Sequence, residues 1–262
     1  MIHFFRSNDK YFPYLMGVTF LFLIWGIFIG SWVDWLVAFF MYFCFTCLGI
    51  TVTFHRNFAH RSYKTYSFLE KLFTIFGCLG GTGSSIGWVA VHRTHHKFSD
   101  KNLDPHSPHT GSIWGLFINK YNFDFNKWVV RDLITNPFHK FLHDYYYLLI
   151  LFVSLILLMF GLKYFIFILA IPMFLNMLAS SLSVYLGHSW GYRTWEIEDK
   201  SVNNWLNALL VWGEGWHNNH HRKASNYTFK NKWWEIDIGG LIVSLIRKKG
   251  YNDKGNKWPN IH

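Results

Sequence analysis

Three histidine clusters carry the chemistry of this chain: His55 and His60 in HRNFAH, His92, His95 and His96 in HRTHH, and His217, His220 and His221 in HNNHH. On a helix, His95 and His96 lie three and four residues after His92. All three rings therefore share one face, within an arc of about 100°. HNNHH repeats that spacing, so each triplet can present its imidazoles to one point or to two close points. His55 and His60 differ, because five residues separate them by about 140° on an ideal helix. Either that pair serves different metals or the helix loosens there. No thiolate lies near the clusters, and this many imidazoles exceeds what one tetrahedral zinc takes. All-nitrogen sites with room for oxygen ligands suit two redox-active iron ions. Zinc, which cannot change oxidation state, would be an inactive, non-native occupant.

The elements that must position these rings are apolar. The 262 residues are 51% hydrophobic, 21% aromatic and only 15% charged, a profile that favours a membrane protein over a soluble globule. Uncharged stretches at 14–33 and 35–54 are separated only by Asp34, and those at 145–162 and 164–187 only by Lys163. Each is about long enough to cross the hydrocarbon core, which predicts two helical hairpins. The expected fold is all-α and integral to the membrane, a single domain over 1–262. Its four transmembrane helices would carry a histidine-rich helical cap formed by 55–144 and 188–262. Pro172 and Asn176 in the fourth span predict a kink or a polar contact with other helices.

Charge sets the orientation. Of 25 Lys and Arg, 24 fall in the N-terminus, in 55–144 or in 188–262, with Lys163 alone at a hairpin tip. That bias places both termini and every histidine in the cytoplasm. Residues 72–90 are uncharged too, but five glycines weaken them as a free helix, and a crossing would part His55 and His60 from His92. They read as an interfacial or re-entrant piece packed on the hairpins. The apolar run 238–246 is too short to cross and reads as a surface element. His188 follows the fourth span directly, at the membrane level of His55.

Other residues have plainer readings. Cys44 and Cys47 form a C-x-x-C inside an apolar run and read as small buried hydrophobes. His139 and His143 have the spacing of a zinc-protease helix but lack its glutamate. With His3 and His262 they read as amphipathic interfacial side chains. His106 and His109, in DPHSPH, fit either role.

The three clusters and their surroundings resemble the membrane fatty acyl desaturases of the acyl-CoA delta-9, stearoyl-CoA-like class. The matching residues are HRNFAHRSYKT, HRTHHKFSDKNLDPHSP and NNWLNALLVWGEGWHNNHH, with HSWGYR for the family's H-x-x-G-Y-R. The resemblance runs from the first span to about residue 246. It implies a di-iron site with nine histidine ligands: His55, His60, His92, His95, His96, His188, His217, His220 and His221. Where the family has an asparagine holding a water on one iron, this chain has Val184. That contact is then missing, or is supplied by Asn176 or Ser183.

The resemblance implies O2-dependent conversion of a saturated acyl chain into a cis-monounsaturated one. A methylene has no acidic proton and no leaving group, so acid–base side chains do not activate it and a metal with O2 as co-substrate is required. Asp100, Asp104 and Glu214 are candidates to orient imidazole N–H groups. Thr51, Cys47 and Phe43, at four-residue intervals before His55, are expected along a tunnel for the acyl chain, so that Cys47→Trp would shorten the accepted chain. The expected partners are an acyl-CoA or another acyl carrier, membrane lipid, and a separate b-type cytochrome or ferredoxin-like electron donor with its reductase. A nucleic-acid partner is excluded, because the +10 net charge tracks membrane topology. A related hydroxylase or a glycerolipid-linked desaturase would carry the same boxes. A metal transporter is disfavoured, because no His, Asp or Glu lies within the four spans.

Overall fold

A computed structural model describes residues 4–6, 11–109 and 124–248. His3, His262, both extreme termini and residues 110–123 of the expected cap lie outside them. Apart from the short antiparallel pair β1 (Phe4–Arg6) and β2 (Asp124–Asn126), the described elements are helical. Helix α1 is Phe12–Ile29, and α2 runs unbroken over Trp32–Ala59. α3 is Ser67–Leu79, α4 is Ser85–Phe98 and α5 is Pro137–Asp144. α6 is Tyr146–Phe160 and α7 is Leu162–Ser189. Three short helices follow: α8 (Trp205–Leu210), α9 (His217–Arg222) and α10 (Ile238–Ile246).

Helices α1, α2 and α7 are each long and apolar enough to cross a membrane. The third expected span differs from its prediction. The helix expected over 145–162 is present as α6, but at 15 residues it is short, and it makes a broken span together with α5, which meets it at a 74° bend. The amphipathic HKFLHD turn buries His139 and His143, which pulls α5 out of line with the wholly apolar α6. α1 is only 17% buried, against 61% and 67% for α2 and α7, so α1 offers its sides to lipid while α2 and α7 form the centre. The two hairpin tips are joined: Lys163 Nζ donates to Asp34 Oδ2 at 2.8 Å, and the same carboxylate closes a capping box with Ser31.

The 72–90 stretch forms the hairpin of α3 and α4, packed on α2. Its chain reverses through Gly81 and Gly83, at φ +83° and +95°, a backbone region that glycine enters without strain. Asn176 Nδ2 donates to Gly80 O at 2.7 Å and ties this turn to α7. Gly49 and Gly77 let α2 and α3 touch backbone to backbone. The reversal returns α4 to the end of α2, where His92 meets His60. α10 is a surface helix, as its length predicts, with Gly239 against Thr51 and Arg56 of α2 while Leu241 and Leu245 stay exposed.

One departure shapes the site. From Phe43 to Ala59, α2 is a π-helix, whose hydrogen bonds reach five residues back rather than four. His60 N–H donates to His55 O at 3.1 Å.

Candidate metal centre

In a π-helix, residues five apart share a face. His55 and His60 therefore lie together, with ring centroids 4.8 Å apart, and the 140° separation of an ideal α-helix does not apply. His92 and His96 come from α4 and His220 from α9. The Nε2 atoms of His60 and His92 are 2.8 Å apart, and that of His220 lies 3.0 Å from those of both His55 and His96. These five rings form one group, all ligand atoms within 4.8 Å of one another. His95, His188, His217 and His221 form a second, with Nε2 of His188 and His217 3.0 Å apart. His96 and His221 bridge the groups, stacked at 4.4 Å between centroids. All nine singled-out histidines are thus brought together, divided five and four.

Four carboxylates set the tautomers. His95 Nδ1 donates to Asp104 at 2.9 Å and His188 Nδ1 to Asp100 at 2.8 Å, while His55 Nδ1 pairs with Glu214. The fourth, Asp199, accepts from His221 Nδ1 at 3.0 Å and was missed in the sequence. A carboxylate only accepts, so each Nδ1 carries the proton and each Nε2 turns a lone pair inward. His221 Nε2 and His220 Nδ1 are buried with no hydrogen-bond partner. Converging lone pairs without a positive charge among them are a donor set suited to metal cations. Asp199→Ala is expected to weaken metal binding at the group of four by about 10–100-fold, read by chelator competition.

Burial, reinforced by neighbouring imidazoles, holds His60, His92, His95, His96, His217, His220 and His221 well below the ordinary histidine value. The folded rings are therefore neutral. As pH falls through about 6.5, the unfolded chain takes up protons first, so the stability present above that value is lost toward lower pH. We expect the melting temperature to fall between about pH 7 and pH 5 in the metal-free protein, measured by thermal unfolding in detergent. Burial raises Asp104 to about 6, against the backbone N–H groups that favour its ionised form. Burial alone would raise Glu214 as well, but His55 and Arg56 leave it below the usual range.

The third box also holds itself. Asn218 Oδ1 accepts from the N–H groups of Thr194 and Trp195, and its Nδ2 donates to Trp195 O. Asn219 is bonded to Asn203, Glu235 and Phe229 O. These two side chains pin α9, and the signal for them was in the motif: two asparagines enclosed between metal-type histidines. His106 lies buried beside His95, ring centroids 4.3 Å apart, and burial lowers its pKa to about 3. With His95 and Asp104 it makes a third compact group of candidate ligands. His109 Nε2 donates to His188 O at 2.7 Å. His139 and His143 stand apart, their Nδ1 atoms bonded to Ser85 and Ser84 at the start of α4.

A partly open cavity of about 840 Å³ runs from these histidines between α2, α4 and α7. Its walls include Thr46, Ile50, Thr51, Thr82, Val184 and Val211, and His55, His92, His95, His188 and His217 border it. Of the three tunnel residues expected, only Thr51 lines it. Cys47 is buried in the core, and Phe43 packs edge-on against Trp212 at 5.0 Å. Counted back from His55, the lining residues Thr51, Ile50 and Thr46 stand four, five and nine residues away, so the lining face follows mixed steps of four and five, and a strict count of four drifts off it to Cys47 and Phe43. Thr46→Phe, rather than Cys47→Trp, is therefore expected to shift products toward shorter acyl chains, read by gas chromatography. At Val184 no polar contact is available. Asn176 donates through Nδ2 to Gly80 O, its Oδ1 is buried with no hydrogen-bond partner, and it does not line the cavity, while Ser183 lines the cavity and donates to Asn207 Oδ1 at 2.9 Å.

A sequence model of the fatty acid desaturase family matches residues 30–230. An acyl-CoA C20 delta-5 desaturase of Anemone leveillei is 36% identical, covering 84% of this chain and 73% of its own length. Delta-9 acyl-lipid desaturase 1 of Arabidopsis thaliana is 37% identical, with 76% and 68% covered. An sn-1 stearoyl-lipid 9-desaturase of Anabaena variabilis is 34% identical, with 84% and 83% covered.

Proposed function

Since the chain belongs to the fatty acid desaturase family, we propose that it is the oxidoreductase that introduces a cis double bond at the delta-9 position of a long-chain saturated acyl-CoA. The observation that carries this reading is the convergence of nine imidazoles in two adjoining groups at the end of an apolar cavity. The five-and-four division supports a pair of iron ions. His55, His60, His92, His96 and His220 would hold one, and His95, His188, His217 and His221 the other. Bound there, the irons would supply the O2-dependent oxidation that no side chain of this protein performs.

The chain's own residues contribute positioning. Glu214, Asp104, Asp100 and Asp199 hold ring nitrogens aimed inward. The cavity between α2 and α7 takes the acyl chain and excludes water, and Thr46 and Thr51 set how it passes the histidines. The Lys and Arg bias supports a cytoplasmic placement of the histidine end and both termini. The two electrons that O2 reduction requires from outside would come from a separate redox protein.

The relatives act on both acyl-CoA and acyl-lipid substrates by their names, so the carrier is the point to test. The chain is expressed in a host unable to make unsaturated fatty acids, and its membranes are supplied in turn with stearoyl-CoA and with stearoyl glycerolipid. A 9,10 double bond formed on the coenzyme A ester supports the proposal. A double bond formed only on glycerolipid assigns the acyl-lipid activity instead, and a product heavier by one oxygen assigns a hydroxylase.

A further inference from the structure

A threonine within a helix commonly spends its hydroxyl on its own backbone. Thr19, Thr74 and Thr94, all in α-helical turns, donate to the carbonyls of Leu15, Glu70 and Ala90 at 2.7, 2.6 and 2.8 Å. Thr46, in the π-helical part of α2, makes no such bond. It borders the Tyr42 hydroxyl, whose own proton goes to Leu210 O at 2.6 Å. Thr82 lies in the turn between α3 and α4. Its Oγ1 is buried with no hydrogen-bond partner, and the residue is only 8% exposed. Both threonines and Ser180 of α7 line the acyl cavity.

These three hydroxyls stand at one level. Thr46 precedes His55 by nine residues, Ser180 precedes His188 by eight and Thr82 precedes His92 by ten. By helical rise each is about 10–15 Å from its histidine. The turn that carries Thr82 is fixed at that depth: Gly81 lies close against Met173 and Met177 of α7, and Gly80 O accepts from Asn176 Nδ2. Toward the histidines the walls are mainly Ile50, Trp88, Val91, Val184 and Val211. Thr51 and Ser183 belong to that near end, four and five residues before His55 and His188. Glu214, the carboxylate in the lining, is there too, paired with His55. The far level therefore offers hydroxyls from three separate elements and, among the described residues, no charge.

An extended acyl chain advances roughly 1.25 Å per carbon, from tetrahedral C–C bonds of about 1.5 Å. With carbons nine and ten beside the histidines, the hydroxyl level falls at the methyl end of an eighteen-carbon chain. A plain methyl there leaves the Thr82 hydroxyl unpaired, whereas an oxygen on the chain pairs with it. Resting on the acyl-CoA reading proposed above, we infer that the preferred substrate is a long-chain acyl thioester bearing a neutral hydroxyl at or next to its methyl end, received by Thr46, Thr82 and Ser180. A carboxylate at the same place would meet no cation. Such a site discriminates because the wrong chain strands its buried polar groups. The carbons oxidised lie elsewhere on the chain, so the reaction itself is the one already proposed.

The test compares stearoyl-CoA, ω-hydroxystearoyl-CoA and a stearoyl-CoA hydroxylated midway between carbon ten and the methyl end. Each is given to the metal-loaded full chain in lipid nanodiscs with O2 and a chemical reductant. The ω-hydroxy chain is expected to exceed the plain chain about tenfold in kcat/KM, and the midway hydroxyl to bring no gain. Thr82→Val keeps nearly the same shape without the hydroxyl. It should lower kcat/KM for the ω-hydroxy chain and raise it for the plain one, bringing their ratio near one, while Thr82→Ser retains the preference. Should Thr82→Val fold poorly, Ser180→Ala, on a separate element, is expected to lower the ratio as well. Calorimetric titration of the metal-free chain should rank the three thioesters in the same order. Equal handling of the plain and ω-hydroxy chains, as from hydroxyls that merely hold water, overturns the inference. So does a preference that survives both Thr82→Val and Ser180→Ala. No desaturated product from any of the three chains sinks the acyl-CoA desaturase reading instead, and the calorimetric ranking then decides the hydroxyl site by itself.

Discussion

Replacing His220 by alanine is expected to empty the group of five of its metal and to lower desaturation by more than about a hundredfold. That exceeds the range expected from losing a partner behind a ligand. His220 is where the three boxes meet, its Nε2 3.0 Å from those of His55 and His96, on α2 and α4. Its own Nδ1 is bonded to nothing, so truncation should remove a donor without stranding a partner. Metal content by mass spectrometry and fatty acid methyl esters by gas chromatography read the two effects. His143→Ala is the control. Its Nδ1 is bonded to Ser84 and it belongs to neither group of ligands, so it should lower stability while metal stays bound.

Arg56→Met is expected to destabilise the fold by about 3–5 kcal/mol, the usual cost of removing one partner from a buried ion pair. Arg56 is fully buried. It donates to Glu214 at 2.6 Å and Asp237 at 2.9 Å, and also to the carbonyls of Tyr227 and Thr51. Methionine of similar length would leave two carboxylates inside the protein with no cation. Glu214 would be left to His55 alone, so metal affinity should fall with stability. Arg56→Lys keeps the charge but not the planar fork, and should cost less. Denaturant unfolding in detergent micelles measures both variants. Adding Asp237→Asn to Arg56→Met should recover part of the loss, because one of the stranded charges is then removed.

These two residues also show what was legible in the sequence. The type and spacing of the boxes announced that eight imidazoles would converge, the family resemblance added His188 as a ninth, and hydropathy announced the hairpins that carry them. The division into five and four was not readable, because it depends on a local change of helical pitch in α2 that leaves no mark on hydropathy. The same change misdirected the tunnel reading to Cys47 and Phe43. Asp100, Asp104 and Glu214 lie near the boxes in the chain and were found as candidates. Asp199 lies in an irregular segment 22 residues before His221, with no periodic relation to betray it. Arg56 stood in plain view inside HRNFAH, but its partners Glu214 and Asp237 are joined to it only by the fold.

The carboxylates are shared unevenly. Three of the four histidines in the smaller group are anchored to one, against a single such anchor, Glu214, among the five. One half of the centre is therefore braced from outside like masonry, while the rings of the other lean on one another, His55 against His60, His92 and His220.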